Sequence, residues 1–261
     1  MTIKNLLVLA FLLGASLGFG QFGEAKTIMN CQLCSPSDVL SVDLDNDSDL
    51  DILVSSYSDN KVVWYENLGM GDFANQRTIS TEFDRITSVT AGDMDNDGDN
   101  DVVATSWEEG KLILYENIGD MLFSEGIVIT NGISWAKSVS LSDLDNDGDL
   151  DVISPSCFDN TLKWYENIGN MDFKFRYPIS RDLKCGQAVN SVDIDNDGDS
   201  DIIAIASVEN RSYNIAYWFE NQGNGAFSDK IEITSRLSDV TQIKIIDFDL
   251  DGFEDLLFNS K

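Results

Sequence analysis

Nine residues near the N-terminus, Asp43-Leu44-Asp45-Asn46-Asp47-Ser48-Asp49-Leu50-Asp51, return four more times, at 93–101, 143–151, 193–201 and 247–255. Successive copies start 50, 50, 50 and then 54 residues apart, so the chain is a repeat array before it is anything else. The longer last interval falls between Ile205 and Tyr217, near Glu209 to Tyr213, where a loop is easily lengthened.

Each acidic run sits between strand-like segments. Alternating residues such as Ser138-Val139-Ser140-Leu141-Ser142 precede it, and an apolar stretch such as Val152-Ile153-Ser154 follows. Asp159-Asn160 then reads as a hairpin turn into Thr161-Leu162-Lys163-Trp164-Tyr165. Asn167-Ile168-Gly169 supplies another turn, and Phe173 to Ile179 alternates again. The period therefore predicts four short antiparallel strands per repeat, with no helical stretch. A four-stranded unit of about 50 residues is one propeller blade, so the expected fold class is an all-β propeller.

The blades are placed at roughly 35–84, 85–134, 135–184, 185–235 and a partial 236–261. Residues 22–30 resemble Phe73 to Ile79 and are read as an isolated outer strand. The last unit holds two strands, and the chain is expected to be a piece of a larger ring. Trp64-Tyr65-Glu66-Asn67 recurs as Leu114-Tyr115-Glu116-Asn117, Trp164-Tyr165-Glu166-Asn167 and Trp218-Phe219-Glu220-Asn221. Neighbouring strand residues face opposite sides of a sheet, so these aromatics serve to pack blade on blade. The competing reading is an aromatic stripe that stacks on sugars.

Clustered carboxylates need a partner. Two unit charges about 4 Å apart repel by roughly 4 kcal/mol at an effective dielectric of about 20. Several around one point would exceed the ~5–15 kcal/mol stability of a typical domain. A bound cation resolves this. Oxygens at the first, third, fifth, seventh and ninth places, with glycine at the sixth for the tight turn, suit the six to eight oxygen ligands of calcium better than the strict octahedron of magnesium. The candidate ligands are Asp43, Asp45, Asp47, Asp49 and Asp51; Asp93, Asp95, Asp97, Asp99 and Asp101; and Asp143, Asp145, Asp147, Asp149 and Asp151. The fourth and fifth runs add Asp193, Asp195, Asp197, Asp199 and Asp201, then Asp247, Asp249, Asp251, Phe253 (through its carbonyl) and Asp255. About five Ca2+ ions per chain are expected. An EF-hand is excluded because its twelfth-place glutamate is replaced by Val54, Ala104, Ser154, Ala204 and Phe258.

A D-x-D-x-D-G-x-x-D run between strands, followed by an Asn-x-Gly turn and a Phe, resembles the FG-GAP/VCBS repeat family and the propeller of integrin α subunits. The resemblance covers residues 22–261 and implies a calcium-stabilised propeller with one loop between the first two strands of each blade. Ser48 departs from the glycine of the pattern, and Phe253 from its aspartate.

The remaining composition narrows function. With 46 acidic against 17 basic residues the net charge is −29, which repels nucleic acid and anionic membranes. More than half of those acids lie in the five runs. There is no histidine, hence no histidine base and no zinc ligand of the usual kind. Lys4, the apolar run Leu6 to Leu17, and Gly18 and Gly20 read as an export signal over residues 1–20, cleaved before Gln21. That run is shorter than the roughly 20 residues needed to span a bilayer, so no membrane span is expected after cleavage. Cys31, Cys34, Cys157 and Cys185 suit an oxidising compartment, with their pairing open. The expected role is a secreted, non-catalytic binding, adhesion or scaffold module for protein or polysaccharide. Its ligand-facing loops would include Ser106 to Lys111 and Ala206 to Ile215. The alternative is an accessory or catalytic propeller of a polysaccharide-degrading enzyme.

Overall fold

The computed structural model describes residues 28, 35–208, 213–238, 240, 242–250, 252 and 254–259. The export segment, the 22–30 strand, Cys31, Cys34, Asp251 and Phe253 lie outside the described residues, Ile28 excepted. Eighteen strands and no helix are present among them. The first sheet holds β1 (Pro36–Val42), β2 (Asp51–Ser56), β3 (Lys61–Tyr65) and β4 (Arg77–Ser80), and the second β5 (Ile86–Gly92), β6 (Asp101–Ser106), β7 (Lys111–Tyr115) and β8 (Ile127–Thr130). The third is β9 (Ser140–Ser142), β10 (Asp151–Ser156), β11 (Thr161–Asn167) and β12 (Phe173–Phe175). The fourth is β13 (Gly186–Val192), β14 (Asp201–Ser207), β15 (Asn214–Phe219) and β16 (Ile231–Leu237), and β17 (Gln242–Ile246) pairs with β18 (Asp255–Asn259) in the last.

Every sheet runs in chain order with antiparallel neighbours, the up-and-down connectivity of propeller blades. The first strands of the five sheets, β1, β5, β9, β13 and β17, line a shared channel of about 250 Å³. In every sheet the acidic run joins the first strand to the second at one end. The hairpin between the second and third strands closes the other end of the four complete sheets. The predicted turn at Asp159-Asn160 is such a hairpin, between β10 and β11.

Strand alternation explains how sheets adhere. In β6, Val102 and Ala104 join the cluster against the first sheet, while Val103 joins the cluster against the third. In β14, Ile202 and Ala204 face the third sheet, and Ile203 and Ile205 face the last. A run of apolar residues facing both ways is what a sheet buried on both faces requires. Each such valine or isoleucine contributes about 1.5–3 kcal/mol on burial.

The repeated aromatics belong to these seams. Trp64, Tyr115 and Phe219 are 1% exposed and Trp164 is 4% exposed. They are packing residues, as are Tyr65 and Tyr165, while Trp218 is half-buried.

The fit around Trp164 is tight. A Cβ placed on Gly225 would stand 2.2 Å from the Trp164 ring, and Gly225 has φ +69°. Gly225→Ala is therefore expected to destabilise the protein by about 2–4 kcal/mol, combining overpacking with left-handed backbone strain. Urea unfolding of the variant beside wild type measures it, and a shift under ~0.5 kcal/mol would contradict the packing described here.

Candidate metal centres

Every acidic run brings three of its carboxylates together. Carboxylate oxygens of Asp43, Asp45 and Asp51 lie within 4.8 Å of one another, as do those of Asp93, Asp95 and Asp101, and of Asp143, Asp145 and Asp151. The same separation holds for Asp193, Asp195 and Asp197, and for Asp247, Asp249 and Asp255.

Each place in the run has its own task. The first aspartate accepts the N–H of the sixth residue, as in Gly98 to Asp93 and Gly148 to Asp143, both 3.0 Å. The fifth accepts the N–H of the seventh, as in Asp99 to Asp97 at 2.9 Å. In the first four runs the ninth aspartate is buried and clamps two segments: Asp151 Oδ2 accepts Leu144 N–H at 3.1 Å, and its Oδ1 accepts Asn167 N–H at 2.8 Å. Asp51, Asp101 and Asp201 repeat the clamp.

The sixth place needs positive φ. Gly98, Gly148 and Gly198 sit at +97° to +98° with open space where a Cβ would go, while Ser48 is held at +75°. The penalty at Ser48 is therefore conformational, without a clash.

The seventh aspartates point elsewhere. Asp149 Oδ1 accepts the side-chain amide of Asn96 from the preceding repeat at 2.6 Å. Asn46 reaches Asp99 and Asn146 reaches Asp199 in the same way. These carboxylates latch neighbouring blades, whatever their main-chain carbonyls do. A second staple was hidden in plain view. Asn117 of the Glu-Asn turn donates to the carbonyl of Leu44 in the preceding loop at 2.9 Å and to Asn100 of its own loop at 3.3 Å, while accepting Gly119 N–H. Asn167 reaches Met94, and Asn221 reaches Leu144, at 2.8 Å each. The sequence signal was that this asparagine never varies among the copies; it reads as a turn residue until the next blade is seen.

Electrostatics mark the loops as unfinished by protein atoms alone. Asp43 Oδ1, Asp45 Oδ1 and Asp145 Oδ1 are buried without a hydrogen-bond partner. Burial pushes Asp101 and Asp145 up to about 6 and Asp151 up to about 7. Neighbouring carboxylates add to the effect at Asp145, and Asp45, Asp51, Asp95 and Asp201 are raised chiefly by burial as well. Orphaned carboxylate oxygens converging from alternate residues fit a hard divalent cation taking oxygen ligands.

A family model for the FG-GAP-like repeat matches residues 43–104, 93–154 and 193–258. The chain belongs to the FG-GAP-like repeat family. No curated protein matches it. Among solved structures, a lectin of Agrocybe aegerita that recognises non-reducing terminal N-acetylglucosamine is similar in fold, with TM-score 0.58 and 17% identity. The match covers 86% of this chain and 61% of that one, so this FG-GAP protein spans less than two thirds of the lectin's length. The chain is thus a β-propeller in architecture.

Three other inter-blade contacts share one pair of positions. Arg85 lies over the Tyr57 ring at 5.7 Å, Trp107 stacks with Trp135 at 6.1 Å, and Cys157 is bonded to Cys185 as a disulfide. That settles the pairing of two of the four cysteines. The expected loop Ser106 to Lys111 carries Trp107 at this edge, whereas Ala206 to Ile215 is only partly among the described residues.

Two substitutions separate these roles. Ser48→Gly is expected to raise stability by about 0.5–1.5 kcal/mol by relieving left-handed strain. Asn167→Ala is expected to lower it by about 2–4 kcal/mol, since it leaves the Met94 and Gly169 groups unpaired. Chemical denaturation of both variants gives the two signs directly.

Proposed function

We propose that this protein is an exported, calcium-stabilised, non-catalytic propeller module that binds extracellular polysaccharide. What supports the calcium half is the set of buried carboxylate oxygens without protein partners in repeated loops. When bound, the cation would supply charge neutralisation and oxygen coordination. The first, third, fifth and ninth aspartates of each run are the side chains that would hold it, with the carbonyl of the seventh residue. The chain's own groups do the rest: the ninth aspartate ties loop to turn, and the asparagine latches tie blade to blade.

Support for the polysaccharide half is the propeller scaffold shared with a lectin, joined to an edge of part-exposed Tyr57, Trp107, Trp135 and Phe158 at the hairpin end. Protein partners are the alternative occupant of the same edge. Export rests on residues 1–20 and agrees with the Cys157–Cys185 disulfide, a bond that persists in oxidising compartments.

Metal analysis of the purified chain is expected to return about five calcium ions, one per loop. Chelation should lower the Tm, because each site at 100 times its Kd contributes about 2.7 kcal/mol. An identical melting curve with no bound ion would sink the calcium half. Passage over immobilised polysaccharides should give retention without new reducing ends, whereas released oligosaccharides would indicate an enzyme.

The pH dependence follows from the raised aspartates. The calcium-free folded chain keeps protons on Asp101, Asp145 and Asp151 that the unfolded chain releases near pH 4. Its stability therefore falls as pH rises from about 4 to 7. Calcium competes with those same protons, so the Tm gained on adding calcium is expected to grow over that window. Paired melting curves at pH 5 and 7.5, on exhaustively dialysed protein with and without calcium, check both signs.

A further inference from the structure

The channel mouth at the hairpin end differs from the acidic end. Ser37, Thr87, Lys137 and Gln187 occupy the same place in four successive repeats and surround a cavity of about 270 Å³ walled by Tyr57 and Trp107. Two of the four are committed to the next blade. Ser37 donates to the Ile86 carbonyl at 2.7 Å, and Thr87 to the Ala136 carbonyl at 2.8 Å.

Lys137 breaks the pattern. Its ammonium reaches Gln187 Oε1 and lies 5.6 Å from the centre of the Trp107 ring. No carboxylate pairs with it among the described residues, in a chain of 46 acidic and 17 basic residues. A half-buried cation with neutral partners is costly to hold. Burial lowers its pKa, and no neighbouring charge contributes. Such a group sits ready for an anion, with ammonium protons left after Gln187 is satisfied.

The acidic runs do not cancel it. They lie at the far end of the first strands, and seven residues of β1 span about 23 Å, well beyond the ~8 Å Debye length at physiological salt. Size and lining also select. About 270 Å³ lies just below the ~300–1,000 Å³ range of drug-sized sites, so a sugar ring fits better than a folded peptide. Aromatic walls offer apolar surface to a pyranose; the Gln187 amide nitrogen is held by the Cys185 carbonyl, so Gln187 offers a hydroxyl only the second lone pair of its Oε1.

We propose that this mouth is a subsite for an acidic sugar, with a uronate carboxylate on Lys137 Nζ and the pyranose against Trp107 and Tyr57. The assignment rests on the polysaccharide-binding reading above.

The test is calorimetric titration of the calcium-loaded chain with trisaccharides of galacturonate, glucuronate and mannuronate, their neutral methyl esters, and galactotriose. Wild type is expected to bind at least one uronate about tenfold or more tighter than its ester, the factor a charge-assisted hydrogen bond carries. Lys137→Met should erase that preference with an unchanged Tm, and Trp107→Ala should weaken acid and ester alike. Equal binding of acid and ester, or an undiminished preference in Lys137→Met, overturns the acidic subsite while leaving a sugar-binding module standing. Absence of binding to every trisaccharide overturns the subsite and the polysaccharide reading together.

Discussion

Carboxylates gathered within 4.8 Å of one another repel, and the acidic end of every blade is arranged around that fact. The backbone answers part of the repulsion. N–H groups of the sixth residue, the second residue and the following turn all point at carboxylate oxygens, as at Asp143 and Asp151. What the backbone leaves unanswered is the inner oxygen set, including Asp145 Oδ1, and there the fold depends on a cation or on retained protons. The strands themselves are ordinary by comparison, apolar on both faces and joined by short turns.

Much of this was legible from residues alone because the repeat supplies its own control. A glycine at the sixth place in four of five copies, with Ser48 in the other, reveals a backbone demand that a single copy would hide. Strand positions followed from alternation, and every member of the aromatic pairs except half-buried Trp218 took a buried face. The seventh aspartates were harder. Sequence places them in the ligand series, yet their side chains accept amides from Asn46, Asn96 and Asn146 of the preceding repeat. A contact between two repeats leaves the same local signature as a contact within one, since both recur at the same interval. The Asn117 staple to Leu44 escaped for the same reason.

The edge proposed to meet a ligand is where the repeats stop being alike. One pair of positions carries Tyr57 with Arg85, then Trp107 with Trp135, then Cys157 with Cys185. Another carries Ser37, Thr87, Lys137 and Gln187. The acidic loops of the first four repeats are nearly copies of one another. The opposite edge is individual at every step.

The asparagine latch reaches a natural break at the fifth run. Leu250 stands where the other copies have asparagine, and the place that would receive Asn196 is Phe253. Leu250 keeps the left-handed backbone of its counterparts, at φ 60°, with its side chain 86% exposed. Adhesion between the fourth and fifth sheets thus loses this polar tie at its acidic rim and leans on the apolar seam of Ile203, Ile205, Ile243 and Phe258. In an array whose cohesion is set neighbour by neighbour, this joint therefore holds by apolar packing and the Asn214 amide on the Val240 carbonyl, where the earlier joints add a tie at the acidic rim.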